Sequence, residues 1–188
     1  MAIRLGNNAA NILTGTNGAD QIFGFGGDDT LRGLGGADFI SAGAGNDIVF
    51  AGSGDDVVLG GAGNDDLHGE QGDDVIIGGS GNDHIVGGRG ADLLSGGTGR
   101  DTFDYNFLRE SVGGNTDTIL DFSRAQGDKI DLKDLHLDVT GRNQDRITFE
   151  HDGDDTIIHV NTDRDRADEF TLHVHDNLLV ARADLILV

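Results

Sequence analysis

Ten aspartates stand nine residues apart in this chain: Asp20, Asp29, Asp38, Asp47, Asp56, Asp65, Asp74, Asp83, Asp92 and Asp101. Only four basic residues, Arg4, Arg32, Arg89 and Arg100, precede residue 105. A periodic carboxylate without a periodic cation is a set of hard oxygen ligands waiting for positive charge. Stacked one strand spacing apart, about 4.8 Å, bare carboxylates repel strongly. A divalent cation between them removes that cost. Ca²⁺ suits the position, because it accepts six to eight oxygens, carboxylate and backbone carbonyl alike, in a flexible geometry. Mg²⁺ demands stricter geometry and holds its water, so it fits poorly.

The elements that must position these carboxylates follow from the same period. Ten nonapeptides run without a gap from Gly15 to Asp104. Their fourth residue is always Gly, their sixth always Asp, and their eighth always apolar, from Ile22 to Phe103. Residues 6–14, GNNAANILT, keep the register but carry Asn11 at position six, as a degenerate N-terminal cap repeat does. The Gly-, Asn- and Asp-rich first six positions predict a turn, since these residues tolerate positive φ. The last three, x-apolar-x, predict a short strand with one side chain pointing inward. Two units make a coil of strand, turn, strand, turn. Stacked coils then form two parallel sheets around an apolar column, and units i and i+2 lie above one another. The expected fold is all-β, a parallel β-roll over residues 6–104. The glycines let turn carbonyls point inward. The candidate carbonyl ligands are those of Gly43, Gly52, Gly60, Ala62, Asn64, Gly69, Gln71, Asp73, Gly78, Ser80, Asn82 and Gly87.

Composition agrees with a metal-stapled fold and excludes several others. The chain of 188 residues has 32 glycines, no proline, no cysteine and a formal net charge of −21. Disulfides and thiolate zinc sites are therefore impossible. Nucleic acid and anionic lipid are repelled, and cations are attracted. No run approaches the length of a membrane span, and the start, MAIRLGNNAANILTG, lacks the apolar region of a conventional signal peptide. No His-Glu-x-x-His, Gly-x-Ser-x-Gly or phosphate-loop motif is present. The chain reads as non-enzymatic. His68 and His84 occupy variable repeat positions and are expected on the exposed face. His173 and His175 share one strand face opposite Phe170, Leu172 and Val174, and are expected in solvent.

The nonapeptide resembles the G-G-x-G-x-D-x-U-x repeat of the RTX calcium-binding proteins. The resemblance covers residues 15–104 and implies a calcium-stacked two-sheet β-roll. Ten turns, five to an edge, enclose four gaps on each edge, so up to about eight Ca²⁺ ions are expected. Position one departs from the pattern at Ala42 and Ala51, and position two at Thr16, Phe25, Leu34 and Glu70. The best-formed sites are accordingly expected between Gly43 and Asp101.

Beyond Asp104 the period stops. Residues 116–135 carry Asp117, Ile119, Asp121 and Phe122, a polar loop, then Asp128, Ile130, Asp131 and Leu132. This resembles the segment that follows the repeats in serralysin-type proteases and mannuronan epimerase R-modules. Alternating stretches at 146–150, 156–160 and 169–174 predict a few antiparallel strands capping the roll. The stretch 161–170, NTDRDRADEF, is similar to an Asp-x-Asp-x-Asp calcium loop but lacks its Gly and terminal Glu spacing, so a solvated turn is expected. The end, Asp184, Leu185, Ile186, Leu187 and Val188, resembles the C-terminal signal of type I secretion substrates. The resemblance implies that residues 105–188 form a capping and secretion-signal region. It also implies a protein of a Gram-negative bacterium, exported unfolded by the type I secretion machinery and folded by calcium outside the cell or on its surface. A second reading, implied by the R-module resemblance, is an acidic-polysaccharide (alginate) binding or adhesin module attached to a larger secreted enzyme. Eight Ca²⁺ would reduce the charge from −21 to about −5, enough for such a polyanion to approach.

Overall fold

A computed structural model of the chain describes residues 1–107, 110–111, 115–135, 137, 146–153, 155–162, 170–176 and 180–187. Two N-terminal strands, β1 (Ile3–Asn7) and β2 (Ile12–Thr14), lead into a run of six-residue strands. These are β3 (Gln21–Gly26), β4 (Thr30–Gly35), β5 (Phe39–Ala44), β6 (Ile48–Ser53) and β7 (Val57–Ala62). The run continues with β8 (Asp66–Gln71), β9 (Val75–Ser80), β10 (His84–Arg89) and β11 (Leu93–Thr98). The shorter β12 (Thr102–Asp104) closes the repeats.

Strands alternate between two parallel sheets. One contains β1, β3, β5, β7, β9 and β11 in that order, and the other β2, β4, β6, β8, β10 and β12. Each strand pairs with the strand eighteen residues away, so Ile22, Ile40, Val58, Ile76 and Leu94 form one inner column. Leu31, Val49, Leu67, Ile85 and Phe103 form the other. Nine of these ten side chains have no exposed surface and Leu94 has 1%. Full burial is worth about 1.5–3 kcal/mol for each such side chain, and the apolar eighth position supplies it once per repeat.

The strands are twice as long as the three residues expected. Positions one to three of the next repeat continue each strand, because pairing between main chains needs no side chain. The extension keeps an inward-facing residue at position one, where Ala42 and Ala51 are fully buried. Position two is where the backbone turns left-handed. Gly43, Gly52, Gly61, Gly79, Gly88 and Gly97 lie at φ between 92° and 119°. The departures Phe25, Leu34 and Glu70 are held in the same conformation at φ 75°, 80° and 75°.

Both sheets run on past residue 104. β13 (Asp117–Phe122) adds parallel to β11, and β14 (Lys129–Asp131) adds parallel to β12. Beyond β13 lie β17 (Phe170–Asp176), β16 (Asp155–Asn161) and β15 (Arg146–Asp152), the last three joined as an antiparallel cap. β18 (Leu185–Ile186) pairs with β14. The end of the roll is sealed by aromatic contacts: Tyr105 meets Phe170 edge-on at 5.0 Å, and Phe103 lies 6.4 Å from Phe122. Along β17, Phe170, Leu172 and Val174 are buried, while His173 and His175 are exposed, as alternation requires. No helix among the described residues is long and apolar enough to cross a membrane.

Candidate metal centre

Each repeat aspartate ends a turn and immediately precedes a strand, buried between coils with at most 3% of its surface exposed. Its two oxygens have different fates. Oδ1 accepts the backbone N–H of the aspartate one coil earlier: Asp38 from Asp20 at 2.7 Å, Asp56 from Asp38 at 2.7 Å, Asp74 from Asp56 at 2.8 Å and Asp92 from Asp74 at 2.9 Å. On the other edge Asp47, Asp65, Asp83 and Asp101 repeat the pattern at 2.7–2.9 Å. Oδ2 is left without a hydrogen-bond partner in all nine aspartates from Asp29 to Asp101. A buried, unpartnered carboxylate oxygen is costly, and here it recurs nine times along the two edges, five on one and four on the other.

Position one is glycine in eight of the ten repeats, and a Cβ added there would press on this oxygen; Ala42 and Ala51 are the exceptions. A Cβ at Gly69 would lie 2.3 Å from Asp74 Oδ2 and 2.5 Å from the Gly87 carbonyl oxygen. At Gly60 the corresponding atoms are Asp65 Oδ2 and the Gly78 carbonyl, each at 2.6 Å, and at Gly78 they are Asp83 Oδ2 and the Gly96 carbonyl at 2.4 and 2.7 Å. Carboxylate and carbonyl oxygens therefore converge over a glycine in successive coils. Among the candidate carbonyls, those of Gly78 and Gly87 are thus brought to the aspartates. Those of Ala62, Gln71 and Ser80 accept the amides of Gly45, Gly54 and Gly63 at 2.8 Å, leaving each with a second lone pair. Gly43 and Gly52 supply left-handed turns. Asn64, Asp73 and Asn82 enter through their side chains. Their Oδ1 atoms accept the N–H groups of Asn82, Ala91 and Arg100 at 2.7, 2.8 and 2.9 Å, a second coil-to-coil ladder outside the first.

The electrostatics match the geometry. Burial, opposed by the backbone hydrogen bond and reinforced by neighbouring carboxylates, pushes Asp65 up to about 7 and Asp74 to about 8. Burial likewise raises Asp56, Asp92 and Asp101 to about 6. Burial is the leading cause at each of these aspartates, and the like-charged neighbours along the ladder add to it. Asp20 is held in the opposite direction. Its Oδ2 accepts the Thr16 amide at 2.6 Å and the Thr16 hydroxyl at 2.8 Å, and the Ala2 amide above all holds its carboxyl below the usual range. The departure from Gly at position two thus fills the N-terminal cradle from within the chain.

Sequence periodicity missed two rungs. Asp117 Oδ1 accepts the Asp92 N–H at 2.9 Å, and Asp128 Oδ1 accepts the Asp101 N–H at 3.0 Å. Asp117 Oδ2 is buried and unpartnered, and burial, then Asp92, pushes this carboxyl to about 9. Both precede an x-Ile pair, as repeat aspartates precede x-apolar, and that local phrase was the available signal. Asp128 Oδ2, by contrast, accepts the Ser123 amide at 2.8 Å. Near the chain end, Asp184 is buried and pairs with Arg124 at 2.9 Å, and Leu185 and Ile186 form β18. Val188 and most of the 161–170 stretch lie outside the described residues.

His68 and His84 are not free on the surface as expected. They meet Asp66 on the outer face of the β8–β10 pair at 3.0 and 2.8 Å. The second ring nitrogen of His84 reaches Asp104 Oδ2 at 3.1 Å. The carboxylate of Asp104, then burial in the opposite sense and Asp66, move His84 to about 9.

The donor set of the turns is all oxygen, hard and anionic, with a free buried carboxylate oxygen at each rung from Asp29 to Asp101 and at Asp117. That set fits Ca²⁺ and not a thiophilic or nitrogen-seeking ion. The fold and the site define a calcium-binding parallel β-roll. Residues 5–40, 32–67 and 68–103 match the family model of the RTX calcium-binding nonapeptide repeat. The chain belongs to that family, whose repeats bind calcium. Among solved structures, it resembles the AlgE6R3 subunit of the Azotobacter vinelandii mannuronan C5-epimerase, with 23% identity and TM-score 0.38 over 97% of this chain and 80% of that one. The AlgE6R2 subunit of the same source gives 22% identity and TM-score 0.41 over 96% and 92%. The extracellular lipase LipA of Serratia marcescens gives 16% identity and TM-score 0.43 over 99% of this chain and 40% of that one. No curated protein sequence matches the chain.

Proposed function

We propose that this chain is a non-catalytic calcium-folded module, extended at low calcium and assembled into the β-roll on meeting the calcium of the extracellular medium. The observation that carries the reading is the pair of ladders whose nine Oδ2 atoms, from Asp29 to Asp101, are buried and unpartnered. In this reading Asp29 to Asp101 hold the ions between successive coils on both edges, with position-one carbonyls such as Gly78 and Gly87 as co-ligands. Asp117 extends one edge by a rung. Calcium supplies the positive charge that the chain lacks. At ten times its dissociation constant each site adds about 1.4 kcal/mol, so about eight sites contribute on the order of 11 kcal/mol. That equals the whole stability of an ordinary domain. Without it, a chain of net charge −21 with 32 glycines does not bury enough to stay folded. Type I export, which needs an unfolded substrate, is the route this property suits.

The test is far-UV circular dichroism of metal-stripped protein at neutral pH during titration with CaCl₂, and with MgCl₂ as control. A sharp coil-to-β transition between about 0.1 mM and a few millimolar Ca²⁺, absent with Mg²⁺, is expected. A chain already folded in chelator at neutral pH would overturn the proposal.

A further inference from the structure

We propose a second metal site of different chemistry, a zinc site on the outer face of the β8–β10 pair formed by Asp66, His68 and His84 and buttressed by Asp104. Its construction follows from the eighteen-residue register. Asp66 and His84 occupy the same repeat position and are direct cross-strand partners. His68 lies two residues beyond Asp66 on the same face, and Asp104 lies two beyond Thr102, the partner of His84. One ligand atom from each of Asp66, His68 and His84 falls within 4.8 Å of the others. The separations from Asp66 Oδ1 are 3.0 Å to His68 Nε2 and 2.8 Å to His84 Nδ1. Tetrahedral Zn²⁺ with ligands at about 2.0–2.1 Å spaces them by roughly 3.3 Å, so a few tenths of an ångström opens the triangle around an ion.

Two further features belong to a built metal site. The ring nitrogen of His84 that faces away from the triangle is held by Asp104 at 3.1 Å. A carboxylate on the far nitrogen of a ligating histidine fixes its ring and raises its basicity. Asp104 is itself only 7% exposed, and its Oδ1 has no partner. His68 is fixed from the other side by stacking on Phe50, with centroids 4.9 Å apart and planes 13° from parallel. Three protein ligands leave the fourth position of a tetrahedron open. His68 also borders a cleft of about 450 Å³ lined by Glu70, Arg89 and Phe107. The turn cages offer oxygen alone, whereas this site offers two nitrogens and one oxygen, the donor set that selects zinc over calcium.

The test is a zinc titration of the full chain in saturating CaCl₂, read by competition with a chromophoric chelator. One Zn²⁺ per chain, with a dissociation constant of about a micromolar or tighter, is expected. His68→Ala and His84→Ala should each weaken it by at least about 100-fold. Asp104→Asn should cost about 10–100-fold. The pair His173→Ala/His175→Ala should leave it unchanged. Circular dichroism in calcium establishes that every variant is folded. Absence of stoichiometric zinc binding, or binding that survives both His68→Ala and His84→Ala, would overturn the assignment. Loss of binding in the His173/His175 pair would do the same. Calcium-saturated protein with no zinc affinity refutes this site alone and leaves the turn cages standing.

Discussion

Asparagine at position 74 separates the two duties of the aspartate there. Asp74 Oδ1 accepts the Asp56 N–H at 2.8 Å, and an asparagine oxygen accepts it equally well. The charge disappears, and an amide N–H₂ replaces Oδ2 beside the Gly87 carbonyl, to which it can donate. Without calcium the substitution should therefore stabilise the roll. Burial raises the Asp74 carboxyl from its ordinary 3.8 to about 8, which makes it a burden on the fold at neutral pH. Spanning those pH units costs at most about 4 kcal/mol, and solvent screening brings this to about 2 kcal/mol. With calcium the sign inverts. Asp74 adjoins two gaps in its ladder, and losing both sites at ten times the dissociation constant costs about 3 kcal/mol. The net loss of about 1 kcal/mol is read by urea unfolding at neutral pH in saturating CaCl₂, where the midpoint should fall by on the order of 0.5 M. In EGTA, the concentration of a stabilising osmolyte needed to fold the chain should fall for Asp74→Asn relative to the parent. A change of the same sign in both media would refute the reasoning, because it would place the role of Asp74 in packing or hydrogen bonding rather than in charge.

Protons should partly replace calcium. The folded-state values of Asp65, Asp74 and Asp117, about 7, 8 and 9, lie above the ordinary 3.8, so these groups favour the folded state when protonated. Their contribution is complete below about pH 4 and is lost as pH climbs from 4 through the folded-state values. Circular dichroism in EGTA should accordingly show β structure appearing as pH is lowered to about 5, while the calcium-bound chain varies little from pH 6 to 9. At position two, Glu70 sits at φ 75°, so Glu70→Gly should raise the urea midpoint in calcium by the equivalent of about 1 kcal/mol. The converse, Gly79→Ala, forces a Cβ to 2.2 Å from the Gly61 oxygen at φ 114° and should lower stability by at least about 2 kcal/mol in the same assay.

The inner columns and the aspartate ladders were legible because they depend on residue identity at one position in nine. From Ile22 to Phe103, and from Asp20 to Asp101, the side chain itself carries the information. Strand length was not legible. Positions one to three are glycine-rich and read as turn, yet the parallel ladder uses only their main-chain groups. Asp117 and Asp128 escaped because the loops before them stretch the coil from 18 residues to 25 and 27. The outer-face cluster escaped for another reason. Asp66 and His84 stand 18 residues apart, as do His68 and Val86, and their meeting appears only when variable positions are compared coil to coil. The backbone restraint at Phe25, Leu34 and Glu70 is imposed by the coils on either side, so residue type there misleads.

The alternation of strands between the two sheets makes the length of this roll a quantised quantity. The tail is anchored at two points that cannot trade places, β13 on β11 and β14 on β12. Removing one nonapeptide would carry every later strand to the opposite sheet and offer β13 the wrong edge. Removing two would shift nothing but the number of coils. A roll of this kind can thus grow or shrink by whole coils of eighteen residues, with the ends unaware of the change, and its capacity for ions changes in pairs, one on each edge.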